Sequence, residues 1–151
     1  MGASRKTDRR HVLCLIFARD FQPESPMSMD YYERLFAGEV LGSGFSEPDY
    51  VQRVYEGVFA NLEKIDRIIS KTAVDWDLNR INKMDLAIMR LAIFEILHVK
   101  DVTAAVAINE AVDISKEFSD EDAGKFINGI LEEIRKRVVA QAEKKKASNE
   151  S

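Results

Sequence analysis

Basic side chains near the start of the chain have the types and spacing of a binding site for an anionic ligand. Arg5 and Lys6 each precede Arg9 by three or four positions, so in a helix the three side chains share one face, and Arg10 lies beside it. Guanidinium groups pair with phosphates and stack on unpaired bases, which makes this face a candidate for RNA binding. Asp8 interrupts the cluster, and a solvated basic N-terminus explains the pattern equally well.

A second candidate for RNA binding is the segment Lys125-Phe126 at the start of the last predicted helix. Free N–H groups at a helix N-terminus favour anions, and an aromatic ring can stack on a base. From spacing alone, however, a phenylalanine on a helix is more often part of the core.

Groups that enzymes use are sparse in this sequence. His11 and His98 are the two histidines, and neither has a partner at metal-ligand spacing. Cys14 lies in the apolar run 12–18, which favours a buried, inert thiol. Gly42-x-Gly44 lacks the third glycine and the strand of a dinucleotide site. We therefore expect no catalytic residues, no metal and no cofactor.

Composition indicates a single helical domain in a reducing compartment. The 151 residues are 46% hydrophobic and 32% charged, and only three prolines and seven glycines interrupt them. The one cysteine excludes an internal disulfide. The apolar run 12–18 is too short to span a bilayer, and no signal-peptide cleavage site follows it. We expect a cytoplasmic protein without membrane contact.

Charge is unevenly distributed along the chain. The net charge of −4 combines +3 in residues 1–20, +2 in residues 132–151 and −9 in residues 21–131. Basic ends on an acidic body suit a protein that meets a polyanion through one face. Basic ends are common, however, and by themselves favour simple solvation.

The apolar periodicity predicts the helices that carry these residues. A stripe at steps of three and four over 51–69 predicts one helix of about twenty residues, with Ser46 as its N-cap. The predicted helices are 7–20, 30–40, the helix over 51–69, a central helix at 79–98, 104–118, and a last helix capped by Ser119 that ends near Val139. We expect one domain over 1–139 and a disordered polar tail over 140–151.

Sequence motifs in the C-terminal half resemble those of the NusB family of transcription antitermination factors. They are Trp76-x-Leu78-Asn79-Arg80, Met84-Asp85, Ile88-Met89-Arg90-Leu91-Ala92-x-Phe94-Glu95-Ile96, Val106-Ala107-Ile108-Asn109-Glu110-Ala111-Val112 and Asp122-x-x-Lys125-Phe126-Ile127-Asn128-Gly129-Ile130-Leu131. Their order and spacing over residues 76–131 are highly specific, and a looser resemblance extends back to the first helix.

The resemblance implies a fold and partners. The fold is all-α, with six to seven helices in two perpendicular small bundles around a central helix. The protein partner is the ribosomal protein NusE, and the pair binds the single-stranded BoxA element of nascent transcripts. Other Nus factors and RNA polymerase are indirect partners, and read-through of ribosomal RNA operons is the result. Family members occur as monomers and as homodimers.

The resemblance also implies site residues. The RNA-binding positions are Arg5, Lys6, Arg9, Arg10, Phe17, Lys125 and Phe126. The partner-binding positions are Asp85 and Asp122. Thr7 and Asp8 stand where the family often has a longer basic run, and Phe17 where it often has a tyrosine.

Two other functions stay open at this point. One is an RNA-binding accessory domain of the kind fused to ribosomal RNA methyltransferases, which the sequence disfavours because it contains no strand–glycine-rich loop–helix unit for a methyl donor. The other is a helical protein–protein adaptor with weakened RNA binding, which the interrupted basic cluster allows.

Overall fold

The computed structural model describes residues 4–150, with side chains excepted for Val40, Val139 and residues 142–150. The helices along these residues are α1 (Arg5–Phe21), α2 (Met29–Tyr32 and Gly38–Leu41, joined by a π-helical turn over Glu33–Ala37), α3 (Pro48–Ala60), α4 (Leu62–Thr72), α5 (Lys83–His98), α6 (Ala104–Phe118) and α7 (Glu121–Glu150). No strand occurs among the described residues. The predicted all-α class is confirmed.

Helix α5 is the centre of the fold, as its apolar circumference predicts. It packs against α1, α3, α4, α6 and α7. Every residue from Asp85 to Glu95 is buried. Two groups of helices share α5: α1 and α3 contact each other on it, and α7 contacts both α4 and α6. This arrangement matches the expected two small bundles around a central helix.

Charged side chains tie α5 to its neighbours from inside the fold. The Arg90 guanidinium donates from Nε and Nη2 to the two carboxylate oxygens of Asp66 on α4, both at 2.9 Å. Its Nη1 reaches Asp20 on α1 at 3.4 Å. Because Arg90 is only 5% exposed, these bonds supply the partners that a buried cation requires.

The start of α3 is capped from another helix. The sequence predicted Ser46 as its N-cap, which is wrong. The N-cap position is Glu47, with Pro48 in the first turn. The backbone N–H groups of Ser46 and Glu47 donate to the Asp8 carboxylate at 2.7 and 2.8 Å. The fully buried Asp8 on α1 therefore caps the N-terminus of α3.

The predicted single helix over 51–69 is two helices. Asn61 separates α3 from α4, and its Nδ2 donates to the Gly57 carbonyl at 2.8 Å. A side chain that takes a backbone acceptor in this way competes with the helical ladder. Because the apolar periodicity continues across Asn61, the sequence pattern does not reveal the break between the two helices.

The ends of two other helices also differ from prediction. Helix α5 begins at Lys83 and is capped by Asn82, after a short 3₁₀ turn over Leu78–Arg80. Helix α7 is capped by Asp120, which accepts from the Ala123 N–H at 2.8 Å, and not by Ser119. It ends at Glu150 instead of near Val139, because residues 140–147 are mainly alanine, glutamate and lysine, which favour helix. The division into one domain and a polar tail stays a prediction.

Candidate nucleic-acid interface

Arg9 lies inside the fold, although its position on the basic face predicted RNA contact. Its Nε donates to both carboxylate oxygens of Glu95 on α5, at 2.9 and 3.2 Å. Arg9 is 5% exposed and Glu95 is 1% exposed. This ion pair fixes α1 against α5 and holds the guanidinium inside the fold. RNA binding by Arg9 stays a prediction that the burial of Arg9 does not favour.

Arg5 lies at the surface, where it contacts the start of α3. Its Nη2 donates to Glu47 at 2.9 Å, and its guanidinium lies over the Tyr50 ring at 4.0 Å from the centroid. A second carboxylate, Asp101, lies 3.8 Å away. Arg5 is thus partly shielded by two acids and an aromatic ring.

Lys6 and Arg10 face helix α6. The Lys6 ammonium lies 3.1 Å from Glu110. Arg10 donates from Nε and Nη2 to the two oxygens of Glu117, at 2.7 and 2.9 Å. These hydrogen bonds, more than any other cause, hold the pKa of the Glu117 carboxyl below its ordinary value. Each basic residue of the cluster therefore has an acidic partner within the chain, which spacing alone does not reveal.

Phe17 is distant from this cluster. It lies three helical turns after Arg5, about 18 Å along the axis of α1. Its ring packs edge-to-face on Phe21 at 5.0 Å between centroids. Phe17 is half-buried, whereas Phe21 is 57% exposed. The structure does not bring Phe17 together with the other predicted RNA-binding residues.

A cavity of about 270 Å³ opens where α7 begins. Phe126 forms one wall, in an edge-to-face contact with Trp76 at 5.6 Å between ring centroids. Trp76 is 56% exposed. Asp85 and Asp122 also line the cavity. The structure thus brings three residues that were predicted separately, one for RNA and two for the partner, into one place.

Asp85 is the buried acid of this cavity. Its Oδ1 accepts from the Ser119 hydroxyl at 2.8 Å. Burial, and then the nearby charge of Asp120, raise the pKa of the Asp85 carboxyl above its ordinary value. Asp122 lies exposed at the rim. Three carboxylates against the one cation Arg80 leave the lining net acidic, and beside two aromatic rings it is suited to a cationic side chain from a partner.

Sequence reasoning missed Trp76 and Asp120 as members of this cavity. Trp76 stands in the loop before α5, between two aspartates, and its place in the family-like motif was the available signal. No sequence signal places Asp120 in the cavity, because only the fold shows that the α7 cap faces the same space as Asp85.

Lys125 lies on the next face of α7, outside the Trp76 cavity. It lines a neighbouring groove of about 750 Å³ between α6 and α7, together with Lys116 and Asn128. The groove and the cavity share Asp120 in their walls. A ligand that occupied both would pass over the first turn of α7.

The described residues contain no group of three histidine, cysteine or carboxylate side chains placed to hold a metal ion. Within the same part of the chain, no helix has the length and apolar character to cross a membrane.

Comparison with known proteins gives the family. The NusB family model matches residues 6–136. Transcription antitermination protein NusB of Acetivibrio thermocellus is 50% identical over 91 residues, which are 60% of this chain and 63% of that protein, so less than two thirds of the relative is spanned. The protein of the same name from Natranaerobius thermophilus is 35% identical over 136 residues, 87% of this chain and 94% of that one.

A solved structure agrees over nearly the whole chain. One chain in the crystal structure of antitermination factors NusB and NusE in complex with dsRNA superposes with a TM-score of 0.72 and 25% identity, over 88% of this chain and 96% of that chain. Since the fold, the motifs and a family match over residues 6–136 agree, this chain belongs to the NusB family.

Proposed function

We propose that this protein is a transcription antitermination factor that binds BoxA-type single-stranded RNA cooperatively with the ribosomal protein NusE. The observation that carries the proposal is the cavity at the start of α7, where Trp76 and Phe126 meet Asp85 and Asp122. Relatives named transcription antitermination protein NusB support it, as does the structural neighbour that contains NusB, NusE and dsRNA. Read-through of termination signals, above all in ribosomal RNA operons, is the biological result.

The RNA-binding part of the proposal rests on the aromatic pair and the lysine beside it. Unpaired bases stack on accessible aromatic rings with little regard for sequence. The exposed ring of Trp76 and the partly buried ring of Phe126 beside it offer such a surface. Lys125 on the adjoining face of α7 supplies a cation for the backbone phosphates. On α1, Arg5, Lys6 and Arg10 would add phosphate contacts once their internal acids are displaced.

The partner-binding part rests on charge. Residues 21–131 carry a net charge of −9. Three carboxylates of this acidic part of the chain meet at one cavity: Asp85, Asp120 and Asp122. A basic ribosomal protein is attracted to such a surface and oriented by it. Docking there would place the partner beside Phe126, so that protein and RNA complete one composite site.

The proposal includes no catalytic activity and a cytoplasmic location. The protein would contribute binding and positioning, while RNA polymerase and the other Nus factors are engaged through the assembled complex. Family membership supports this role.

A second candidate is a helical adaptor that binds the protein partner but has weakened RNA binding. The observation that favours it is the internal pairing of the basic cluster, in which Lys6 and Arg10 already contact Glu110 and Glu117. The two functions agree on the partner surface and differ in RNA affinity.

The experiment is a titration of BoxA-like single-stranded RNA with this protein, with and without NusE. A scrambled RNA and a duplex of the same sequence are the controls. Tight, sequence-selective binding only when both proteins are present supports the antitermination function. Partner binding without any preference for BoxA supports the adaptor, and failure to bind NusE contradicts both.

Two substitutions in the cavity sharpen this test. Phe126→Leu keeps an apolar side chain but removes the ring face, so it should weaken RNA binding to the complex while leaving NusE binding intact. Asp122→Asn removes a rim charge and should mainly weaken NusE binding. Glu133→Gln, an equal charge change farther along α7 at an exposed position, serves as the control.

A further inference from the structure

The pairing of Arg10 with Glu117 has the geometry that Arg10 would use on a phosphate. Two guanidinium nitrogens meet two carboxylate oxygens at 2.7 and 2.9 Å, and the remaining nitrogen Nη1 donates to the Lys6 carbonyl at 2.8 Å. An arginine binds a phosphate through the same parallel pair of N–H groups. The Glu117 carboxylate therefore occupies the place that an RNA phosphate would take.

We propose that Glu117 is an affinity-determining residue that competes with RNA for Arg10 and so suppresses binding of RNA by this protein alone. The inference rests on the proposed function, since it concerns the same RNA. It assigns a negative role to an acidic residue on α6 that neither the motifs nor the basic cluster single out.

Burial distinguishes this pair from the other arginine–glutamate pair of α1. Arg9 and Glu95 are enclosed, with side chains 6% and 2% exposed, so opening that pair would strand two charges in the core. The Glu117 side chain is 52% exposed, and that of Arg10 is 14% exposed. Because the Glu117 carboxylate lies at the surface, it can move into solvent, and a phosphate can take its place on Arg10 without disturbing the fold.

Displacing Glu117 from Arg10 still costs free energy, and this cost makes tight RNA binding depend on the partner. RNA that contacts α1 must break the Arg10–Glu117 pair and then tolerate a carboxylate beside its phosphates. RNA that gains further contacts from a bound partner can offset this cost, whereas RNA that meets this protein alone cannot. Glu117 would thereby link tight RNA binding to the presence of the partner.

The test is the affinity of Glu117→Gln for a scrambled, unstructured single-stranded RNA without the partner. Glutamine keeps the shape but not the charge, so Arg10 becomes available to phosphate. We expect the affinity at low salt to rise about three- to tenfold, and the slope of log affinity against log salt to steepen by about 0.7, the value for one more phosphate contact. Glu117→Ala should also raise the affinity for this RNA.

Two controls separate release of Arg10 from a general loss of negative charge. Glu133→Gln makes the same charge change on α7, where Glu133 pairs with Lys136 at 3.3 Å, and should give a smaller increase. In an Arg10→Gln background, Glu117→Gln should have almost no effect, because no guanidinium remains to be released.

An affinity that is unchanged or lower in Glu117→Gln, or a rise no larger than in Glu133→Gln, overturns the inference. Wild-type binding to BoxA-like RNA with NusE, measured in parallel, keeps it separate from the proposed function. If the wild type binds with NusE but Glu117→Gln gains nothing alone, only the inference fails. If no variant binds any RNA under either condition, both fail.

Discussion

The charged residues of α1 have different roles because they differ in burial. Asp8 and Arg9 are 0% and 5% exposed; Asp8 bonds to the backbone just before α3, and Arg9 bonds to α5. Lys6, between Arg5 and Thr7, keeps a side chain that is 63% exposed. Spacing of three and four residues places side chains on one face but does not say which edge of that face meets the core. That is why the basic cluster was predictable and the burial of Arg9 was not.

Removing the buried charge of Arg9 should destabilise the protein strongly. Arg9→Met leaves the Glu95 carboxylate in the core without its partner, which should lower the free energy of unfolding by about 3–5 kcal/mol. Lys6→Met, which removes an exposed ion pair, should cost less than about 1 kcal/mol. Urea unfolding of both variants checks this. Equal, small effects would show that Arg9 is an exposed residue after all.

Asp85 should make stability depend on pH. Its folded-state pKa is raised by burial, so between the unfolded and folded pKa values the folded protein holds a proton that the unfolded chain has lost. Stability therefore falls as pH rises through this window. Asp85→Asn keeps an acceptor for Ser119 and carries no charge, so it should unfold at higher urea than the wild type at neutral pH, with the difference shrinking as pH falls.

The control for this prediction is Asp122→Asn, an equal charge change at an exposed rim position of the same cavity. It should leave the free energy of unfolding nearly unchanged. If the free energy of unfolding of Asp85→Asn differs from that of the wild type by the same amount at every pH, burial does not raise the pKa of Asp85.

At the level of helices, apolar periodicity predicted which segments are helical and face the core, but neither the break between α3 and α4 nor the start of each helix. The predicted cap Ser46 is replaced by Asp8, 38 residues earlier in the chain. The predicted cap Ser119 instead bonds to Asp85 on α5. Both outcomes depend on tertiary contacts, which local sequence does not contain. Asn82 and Asp120 act within their own helices, and such local caps are the kind that sequence can reveal.

The crossing of α3 and α5 depends on the missing side chain of Gly57. A methyl group there would overlap the ring of Phe94, which is buried and has little room to move. Gly57→Ala should therefore lower the free energy of unfolding by about 1–3 kcal/mol, in spite of the better helix propensity of alanine.

Gly129 on α7 is the matched control, because a methyl group there meets no atom within 4 Å. Gly129→Ala should raise the free energy of unfolding by up to about 1 kcal/mol, the propensity gain alone. Thermal or urea unfolding of the two variants gives the comparison. If both alanines stabilise the protein, close packing of α3 on α5 is not what Gly57 provides.

For the whole molecule, the fold follows from the sequence more directly than the site does. The largely apolar circumference of α5 predicted a central helix, and the other helices must bury their apolar stripes against it. The cavity at the start of α7 combines a loop residue, Trp76, with Asp85 on α5 and Phe126 on α7. Periodicity cannot place these residues together, and the family resemblance assigned two of them to different ligands. Their convergence is what suggests a composite site for RNA and protein.

Trp76 provides the most direct measurement of this composite site, because it is the single tryptophan of the chain and lies in the cavity. Its fluorescence quenching by acrylamide should be measured for the free protein, after addition of NusE, and after further addition of BoxA-like RNA, with the signal of NusE alone subtracted. We predict that NusE protects Trp76 partly and that RNA added to the complex protects it further. A tryptophan as accessible in the ternary mixture as in the free protein would contradict the account.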